Sequence, residues 1–262
     1  MIIDAVITAG GIPKPDDPLY PLTQGRNKAL LPIGGVPMVQ WIVDALAGAA
    51  CIGRVVVAGL DPAEAALESR KPLAFVPNAG SMIGNVQAGA KAVLAQNAAA
   101  THVLVVSADI PTITAEMVDW NITTSLETDH EGYYSLVPAA LMEQRFPGSR
   151  RTFFKLKEGR FSGSDMNLFQ TSLVGHAHPA WQAIIDARKN VFKQAALVGF
   201  DTLLLMLLGR LSIAGAERAG RDRLGVRGRV FLSRYAETAM DVDKPHQYEL
   251  VRRDLEARGR QV

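Results

Sequence analysis

The stretch Ile2-Ile3-Asp4-Ala5-Val6-Ile7-Thr8-Ala9-Gly10-Gly11 decides how this sequence is read. A short β-branched apolar run that stops at consecutive glycines predicts a buried strand. The glycines let backbone N–H groups approach an anion closely at the strand's end. Outward from it, strand-like runs alternate with longer alanine-rich stretches of helical period. Helices are expected at Met38 to Gly48, Pro62 to Ser69, Asn85 to Ala100 and Thr114 to Ser125, and strands at Arg54 to Ala58, Ala74 to Val76 and His102 to Ser107. That order is βαβαβαβ. It predicts an α/β fold, a Rossmann-like three-layer α/β/α sandwich with a mostly parallel sheet, and ligands beyond the carboxyl ends of the strands.

After about residue 130 the pattern loosens. Strands are expected at Tyr134 to Pro138, Thr152 to Lys157, Met166 to Thr171 and Arg229 to Leu232. Helices are expected at about Pro179 to Ala196, at Asp201 to Leu208 and, closing the pattern, at Pro245 to Arg258. No repeat or low-complexity linker divides the chain. A single domain over 1–262 is expected, with 1–130 as a nucleotide-binding half and 131–262 as an acceptor-binding half.

The 262 residues are 48% hydrophobic and 21% charged, the mix of a globular chain. A chain of this size buries about three quarters of its unfolded surface without a staple. Cys51 is the only cysteine, which excludes an intrachain disulfide and a multi-cysteine zinc site and fits a reducing cytoplasm. The amino terminus carries Asp4 and runs into glycines, so it reads as a strand and not as a secretory signal. The longest strongly apolar run, Leu203 to Leu208, is flanked by Asp201 and Arg210 and is far short of the roughly 20 residues of a membrane helix. Net charge is only +2, yet Arg210 to Arg234 holds seven arginines against Glu217 and Asp222. That stretch reads either as a solvated face or as a site for a local anion. It carries no nucleic-acid motif and no interleaved aromatics, so nucleic acid is not an expected partner.

The chemistry concentrates in a few segments. Thr8-Ala9-Gly10-Gly11 is followed by Asn27-Lys28-Ala29-Leu30-Leu31-Pro32-Ile33-Gly34-Gly35-Val36-Pro37-Met38, in which Lys28 can add a point charge to the anion site of the glycines. There is no Gly-Lys-Ser/Thr and no Gly-x-Gly-x-x-Gly opening directly into a helix, which argues against a P-loop or a dinucleotide site. Two acidic segments follow, Val106-Ser107-Ala108-Asp109-Ile110-Pro111 and Met240-Asp241-Val242-Asp243-Lys244-Pro245. Taken singly, each aspartate also reads as a turn or helix cap. The pair His176 and His178 shares one face of a strand-like segment but has no third metal ligand nearby in sequence.

Together and in this order, these segments resemble the nucleotidyltransferases of the GT-A type, in the branch of the molybdenum cofactor guanylyltransferases and the methylerythritol phosphate cytidylyltransferases. The resemblance covers residues 1 to about 125, is patchy in the middle, and returns at 240 to 255. It implies a magnesium-dependent transfer of NMP from an NTP, CTP or GTP, to a phosphorylated small-molecule acceptor, with release of pyrophosphate. Ala9, Gly10 and Gly11 would bind the triphosphate through backbone amides. Lys28 would neutralise charge on the departing pyrophosphate. Asp109 would hold Mg2+ together with Asp243, or less favourably Asp241, since magnesium is a hard cation held by one or two carboxylates plus substrate phosphates. The family's Gly-x-Gly-x-Arg is absent. The loop from Ile12 to Arg26, stiffened by Pro13, Pro15, Pro18 and Pro21, stands in its place, and Arg26 or Lys14 would supply the cation.

The resemblance also places base recognition at Asn78, Ser81 and Asn85, although Asn85 reads equally as a helix-start residue. Acceptor binding is implied for Lys155, Asp165 and Asn167, with Arg150 and Arg151 as basic company. Two other readings stand beside it: a GT-A glycosyltransferase using Asp241-Val242-Asp243 on a nucleotide sugar, and a nucleotide-binding regulator without turnover.

Overall fold

The computed structural model describes residues 1–175 and 199–260. The expected helix at about Pro179 to Ala196 and the histidines His176 and His178 lie outside the described residues. Strand β1 (Ile3–Thr8) is central, with β4 (Ile52–Ala58) on one side and β6 (His102–Ser107) on the other, both parallel to it. Strand β5 (Leu73–Val76) extends the parallel set beyond β4.

Beyond β6 the sheet turns antiparallel. It continues through β10 (Met166–Gln170), β7 (Gly132–Pro138), β9 (Gly159–Gly163) and β8 (Phe154–Leu156), giving the order β5-β4-β1-β6-β10-β7-β9-β8. Strand β11 (Gly228–Leu232) pairs parallel with β7. A two-stranded ribbon, β2 (Pro32–Ile33) with β3 (Val36–Pro37), stands apart from this sheet.

The strand alternation divides the core into layers. Ala5, Ile7, Val55, Val57, Leu104 and Val106 pack beneath α2 (Met38–Gly48) and α4 (Ala115–Ser125). Val6, Val56, Ala58 and Val103 face α3 (Met82–Gln96). A second cluster joins Leu19, Met38, Trp41 and Phe146 to Tyr248, Val251 and Leu255 of the closing helix α9 (Pro245–Arg258). This helix returns the carboxyl-terminal segment to the first half of the chain. The remaining helices are the single turns α1 (Tyr20–Thr23) and α6 (Thr171–Val174), and α5 (Ala139–Arg145), α7 (Phe200–Leu207) and α8 (Ile213–Leu224).

One expected helix does not form. Pro62 to Ser69 is a turn and extended chain, because the Gln40 side chain of α2 takes both backbone groups of Glu68, accepting from its N–H at 2.9 Å and donating to its carbonyl at 2.8 Å. Asp61 Oδ1 also accepts from Ala63 N at 2.8 Å, closing a local turn. Side-chain bonds of this kind compete directly with a helical ladder. Among the described residues no helix is long and apolar enough to cross a membrane.

Candidate active site

The carboxyl ends of β1 and β6 meet at one edge of the sheet, and a loop is built there from backbone outward. Ala9 N–H donates to the Ala58 carbonyl at 2.7 Å, carrying the strand pairing one residue past β1. Asn27 then latches the loop. Its amide donates to the Ala9 carbonyl while its Oδ1 accepts from Ala29 N at 3.0 Å, capping the 3-10 turn Lys28–Leu30. Lys28 N–H donates to the Gly11 carbonyl at 2.9 Å.

Gly10 admits no side chain. A Cβ there would stand 2.8 Å from Asn78 Oδ1 and overlap Asn85 Nδ2. Gly59 holds a left-handed φ of +97° so that its backbone can lie against Gly10.

Asn78 and Asn85 brace this loop. Asn78 Nδ2 donates to the Gly10 carbonyl at 3.3 Å and Asn85 Nδ2 donates to Asn78 Oδ1 at 3.3 Å, while Asn85 Oδ1 accepts from Ala79 N at 2.8 Å. Asn85 is buried and spent within the protein. Ser81 is likewise engaged, capping α3 by accepting from Gly84 N at 3.1 Å. Of the three residues expected to read a base, Asn78 lines a cavity. That cavity is a cleft of about 860 Å³ lined by Ile12, Arg26, Leu60, Asp61, Phe75 and Asn78 among others. Arg26 is exposed on it, whereas Lys14 lies outside its lining.

The charged centre stands beside Gly11. The Lys28 stem lies 3.4 Å from where a Gly11 Cβ would be, and its Nζ bridges Asp109 Oδ2 and, at 2.9 Å, Asp243 Oδ1. Burial disfavours the ammonium, but the Asp109 and Asp243 carboxylates outweigh burial and raise its pKa. Val242 N–H donates to the Asp109 carbonyl at 2.9 Å, which fixes the late loop onto the end of β6. Asp243 N–H donates to Gln247 Oε1 of α9 at 3.0 Å. Asp241 points elsewhere and pairs with Arg151.

Asp165 completes the acidic side. Its N–H donates to the Thr238 carbonyl at 2.8 Å and its own carbonyl accepts from Ser107 N at 2.9 Å. Burial and the neighbouring Asp109 carboxylate push its carboxyl pKa up to about 7, against the pull of Arg151. Tyr134 stands nearby, its phenol pKa raised by burial and by Asp165.

Asn167 and Lys155 do not join this cluster. Asn167 bridges backbones, its Oδ1 accepting from Ser135 N at 3.2 Å and its Nδ2 donating to the Ser164 carbonyl at 2.8 Å. Lys155 lies exposed on the outer strand β8, its stem against Gly209. Sequence reasoning missed Asn27, Gly59, Asp61 and the pairing of Arg151 with Asp241. Asn27 stood inside a quoted motif, next to Lys28. Nothing local marked the Arg151 to Asp241 pairing.

Residues 5–147 match a family model described as a MobA-like NTP transferase domain. Among solved structures, a hypothetical transferase from Thermus thermophilus aligns with a TM-score of 0.80 and 33% identity, covering 94% of this chain and 99% of that one. A CMP:2-keto-3-deoxy-manno-octonic acid synthetase complexed with CTP aligns with a TM-score of 0.60 and 15% identity, over 99% and 100% of the two chains. A 2-C-methyl-D-erythritol 4-phosphate cytidylyltransferase, also from Thermus thermophilus, gives 0.54 and 15%, over 97% and 98%. At these identities the last two show the fold. No curated protein matches the chain.

Proposed function

Because this chain belongs to the family of MobA-like NTP transferase domains and is a nucleotidyltransferase, we propose that it transfers NMP from CTP or GTP, with Mg2+, to a phosphorylated small-molecule acceptor and releases pyrophosphate. The observation that carries this reading is Lys28, whose Nζ stands between Asp109 and Asp243 while its backbone is tied to Gly11. One residue thereby joins the glycine loop to the carboxylates.

Members of the family typically use a divalent metal ion. The residues present fit a hard cation. Asp109 and Asp243 are oxygen donors brought to one point, and Asp109 Oδ1 is buried with no hydrogen-bond partner among the described residues. No group of three or more potential ligands occurs among the described residues; magnesium is usually held by one or two carboxylates plus substrate phosphates. When bound, the ion would supply charge neutralisation to the triphosphate.

The chain's own groups supply the rest. Amides of the loop at Gly10 and Gly11 hold the triphosphate, whereas the Ala9 N–H expected to join them is committed to the Ala58 carbonyl. Lys28 stabilises charge that grows on the departing pyrophosphate as an acceptor oxygen attacks the α-phosphorus in line. The large cleft between Arg26, Leu60, Phe75 and Asn78 suits a base, and Asp61 on its wall accepts hydrogen bonds from an exocyclic amine such as cytosine or guanine carries. A phosphorylated acceptor, with a second pKa of about 6, is already ionised near neutral pH and needs no general base. The proximity of Arg151 to Asp165 supports acceptor binding on that side.

Pyrophosphate release tests the proposal, measured with each NTP against a panel of sugar and alditol phosphates. Metal-dependent release with one NTP and one acceptor is the expected result. Sugar transfer from a nucleotide sugar without pyrophosphate would replace it with the glycosyltransferase reading, and nucleotide binding without any release would replace it with a regulator. The pairing of Asp241 with Arg151 weighs against a free Asp-x-Asp metal motif.

A further inference from the structure

The arginine-rich segment that the catalytic reading leaves unused comes together at the far edge of the sheet. Strand β7 begins at Gly132 opposite Phe169 near the end of β10, and β10 pairs its Gln170 with His102 at the start of β6. Strand β11 enters the sheet at Gly228 beside Gly132. This edge therefore lies a strand's length, about 20 Å, from the ends of β1 and β6 where Lys28 and Asp109 sit.

A cleft of about 250 Å³ opens here, lined by Arg218, Arg221, Arg227 and His130 together with Asp129 and Glu217. Arg218 and Arg221 are three residues apart on α8 and so share one helix face, while Arg227 comes from the link into β11.

The acids of the lining are already engaged. Glu217 Oε1 accepts from Val230 N at 2.7 Å, and Asp129 stands 3.5 Å from Arg227. Glu131 Oε2 accepts from Arg227 N at 2.7 Å and fixes that residue's backbone. Arg221 meets only its sequence neighbour Asp222, at 3.8 Å, and Arg218 has no hydrogen-bond or ion-pair partner among the described residues. His130 is held in place, Nδ1 against Thr128 Oγ1 at 3.0 Å and its ring edge-on to Tyr133. A solvated arginine face is convex and indifferent to position. Here arginines from two elements line one concavity, and a planar fork of donors is the side chain best matched to phosphate oxygens.

We propose that this cleft is a second anion site, separate from the catalytic centre, which binds a small phosphorylated molecule through Arg218 and Arg221, beside an Arg227 guanidinium already held by Asp129 and Glu131. Its size suits a phosphate or diphosphate group with at most a short carbon skeleton, being below the volume of ordinary drug-sized pockets.

The test is equilibrium dialysis of the full chain against radiolabelled inorganic pyrophosphate in the presence of a chelator. Two classes of binding are expected. Arg218→Ala/Arg221→Ala weakens one class by at least about tenfold, since each charge-assisted hydrogen bond is worth one to two orders of magnitude, and leaves nucleotidyl transfer unchanged. Lys28→Ala removes the other class. The single exposed change Arg218→Glu, at a position where folding is not at stake, must weaken the same class as the double variant. Binding that the arginine variants do not touch overturns the proposal. A single class lost only on arginine replacement upholds it and counts instead against the catalytic assignment of Lys28.

Discussion

The two halves of the molecule hold their parts of the site by different means. In residues 1–130 the work is done by backbone. Gly10 and Gly11 follow a strand end, Asn27 latches the Ala9 carbonyl, and Asn78 with Asn85 fills the space a side chain on Gly10 would need. In the second half it is done by long-range ion pairs. Arg151 holds Asp241, while Arg145 bridges Glu237 and Asp254 at 2.7 Å each and so ties α5 to the segment before Asp241 and to α9. Under the proposed function, a triphosphate has the same shape in every NTP and would be served by a rigid cradle of amides, whereas an acceptor varies and would be met by side chains that can change without disturbing that cradle. Asp109 and Asp243 come from opposite halves and meet through Lys28.

This contrast can be broken or sharpened. The largest effect is expected from Asp109→Ala, which removes the carboxylate nearest both halves. Metal-dependent pyrophosphate release should be abolished with the circular dichroism spectrum unchanged, and near-normal turnover would undo the assignment. Lys28→Ala should raise the barrier by roughly 2 to 4 kcal/mol, as for other preorganised electrostatic groups, seen in kcat/KM.

In the second half, Arg151→Ala leaves Asp241 without its partner in a mostly buried setting. The cost in urea unfolding should be about 2 kcal/mol, short of the roughly 3 to 5 of a fully buried pair because both side chains keep some exposure. The double variant Arg151→Ala/Asp241→Ala should recover part of it. Asn27→Ala should cost about 1 kcal/mol in stability, the usual value of a lost cap, yet weaken NTP binding more than Arg151→Ala does.

The smallest effect is a pH dependence. Asp165 keeps its proton up to about 7 when folded but loses it near the ordinary carboxylate value when unfolded. Between these values the folded state binds more protons, so this group's contribution to stability falls as pH rises through that window. Asp165→Asn should therefore raise Tm at pH 8 relative to its effect at pH 4. An offset independent of pH would show that Asp165 ionises freely.

The same contrast explains what could be read from the sequence. The parallel core was legible because strands β1, β4 and β6 are β-branched runs closed by glycine or Ser-Ala-Asp, and β1 is expected and found within one residue of Ile3–Thr8. The closing helix, expected from Pro245 to Arg258, forms over that span. Helices α5 and α8 and strand β9 went unseen. Arg145 and Glu143 make α5 resemble a solvated loop, α8 carries Arg218, Arg221 and Arg223 between small residues, and β9 is glycine-bounded with Arg160 near its start. The proposed catalytic residues Lys28, Asp109 and Asp243 lay in recognisable order. The partner of Asp241 could not be found by local reading, since Arg151 is distant in sequence and nothing near either residue marks the other. Asn85, engaged with Ala79 and Asn78, shows the opposite failure. A polar residue expected to read a base is spent on holding the loop.

The measurement that tests the account most directly is the melting temperature of the wild-type chain and of Lys28→Ala with each of the four NTPs, with and without Mg2+. A ligand present at 100 times its Kd adds about 2.7 kcal/mol to stability. The account predicts a magnesium-dependent rise with one pyrimidine or purine triphosphate and its loss in Lys28→Ala. A rise that Lys28→Ala retains in full, or one produced by a nucleotide sugar and by no NTP, would contradict it.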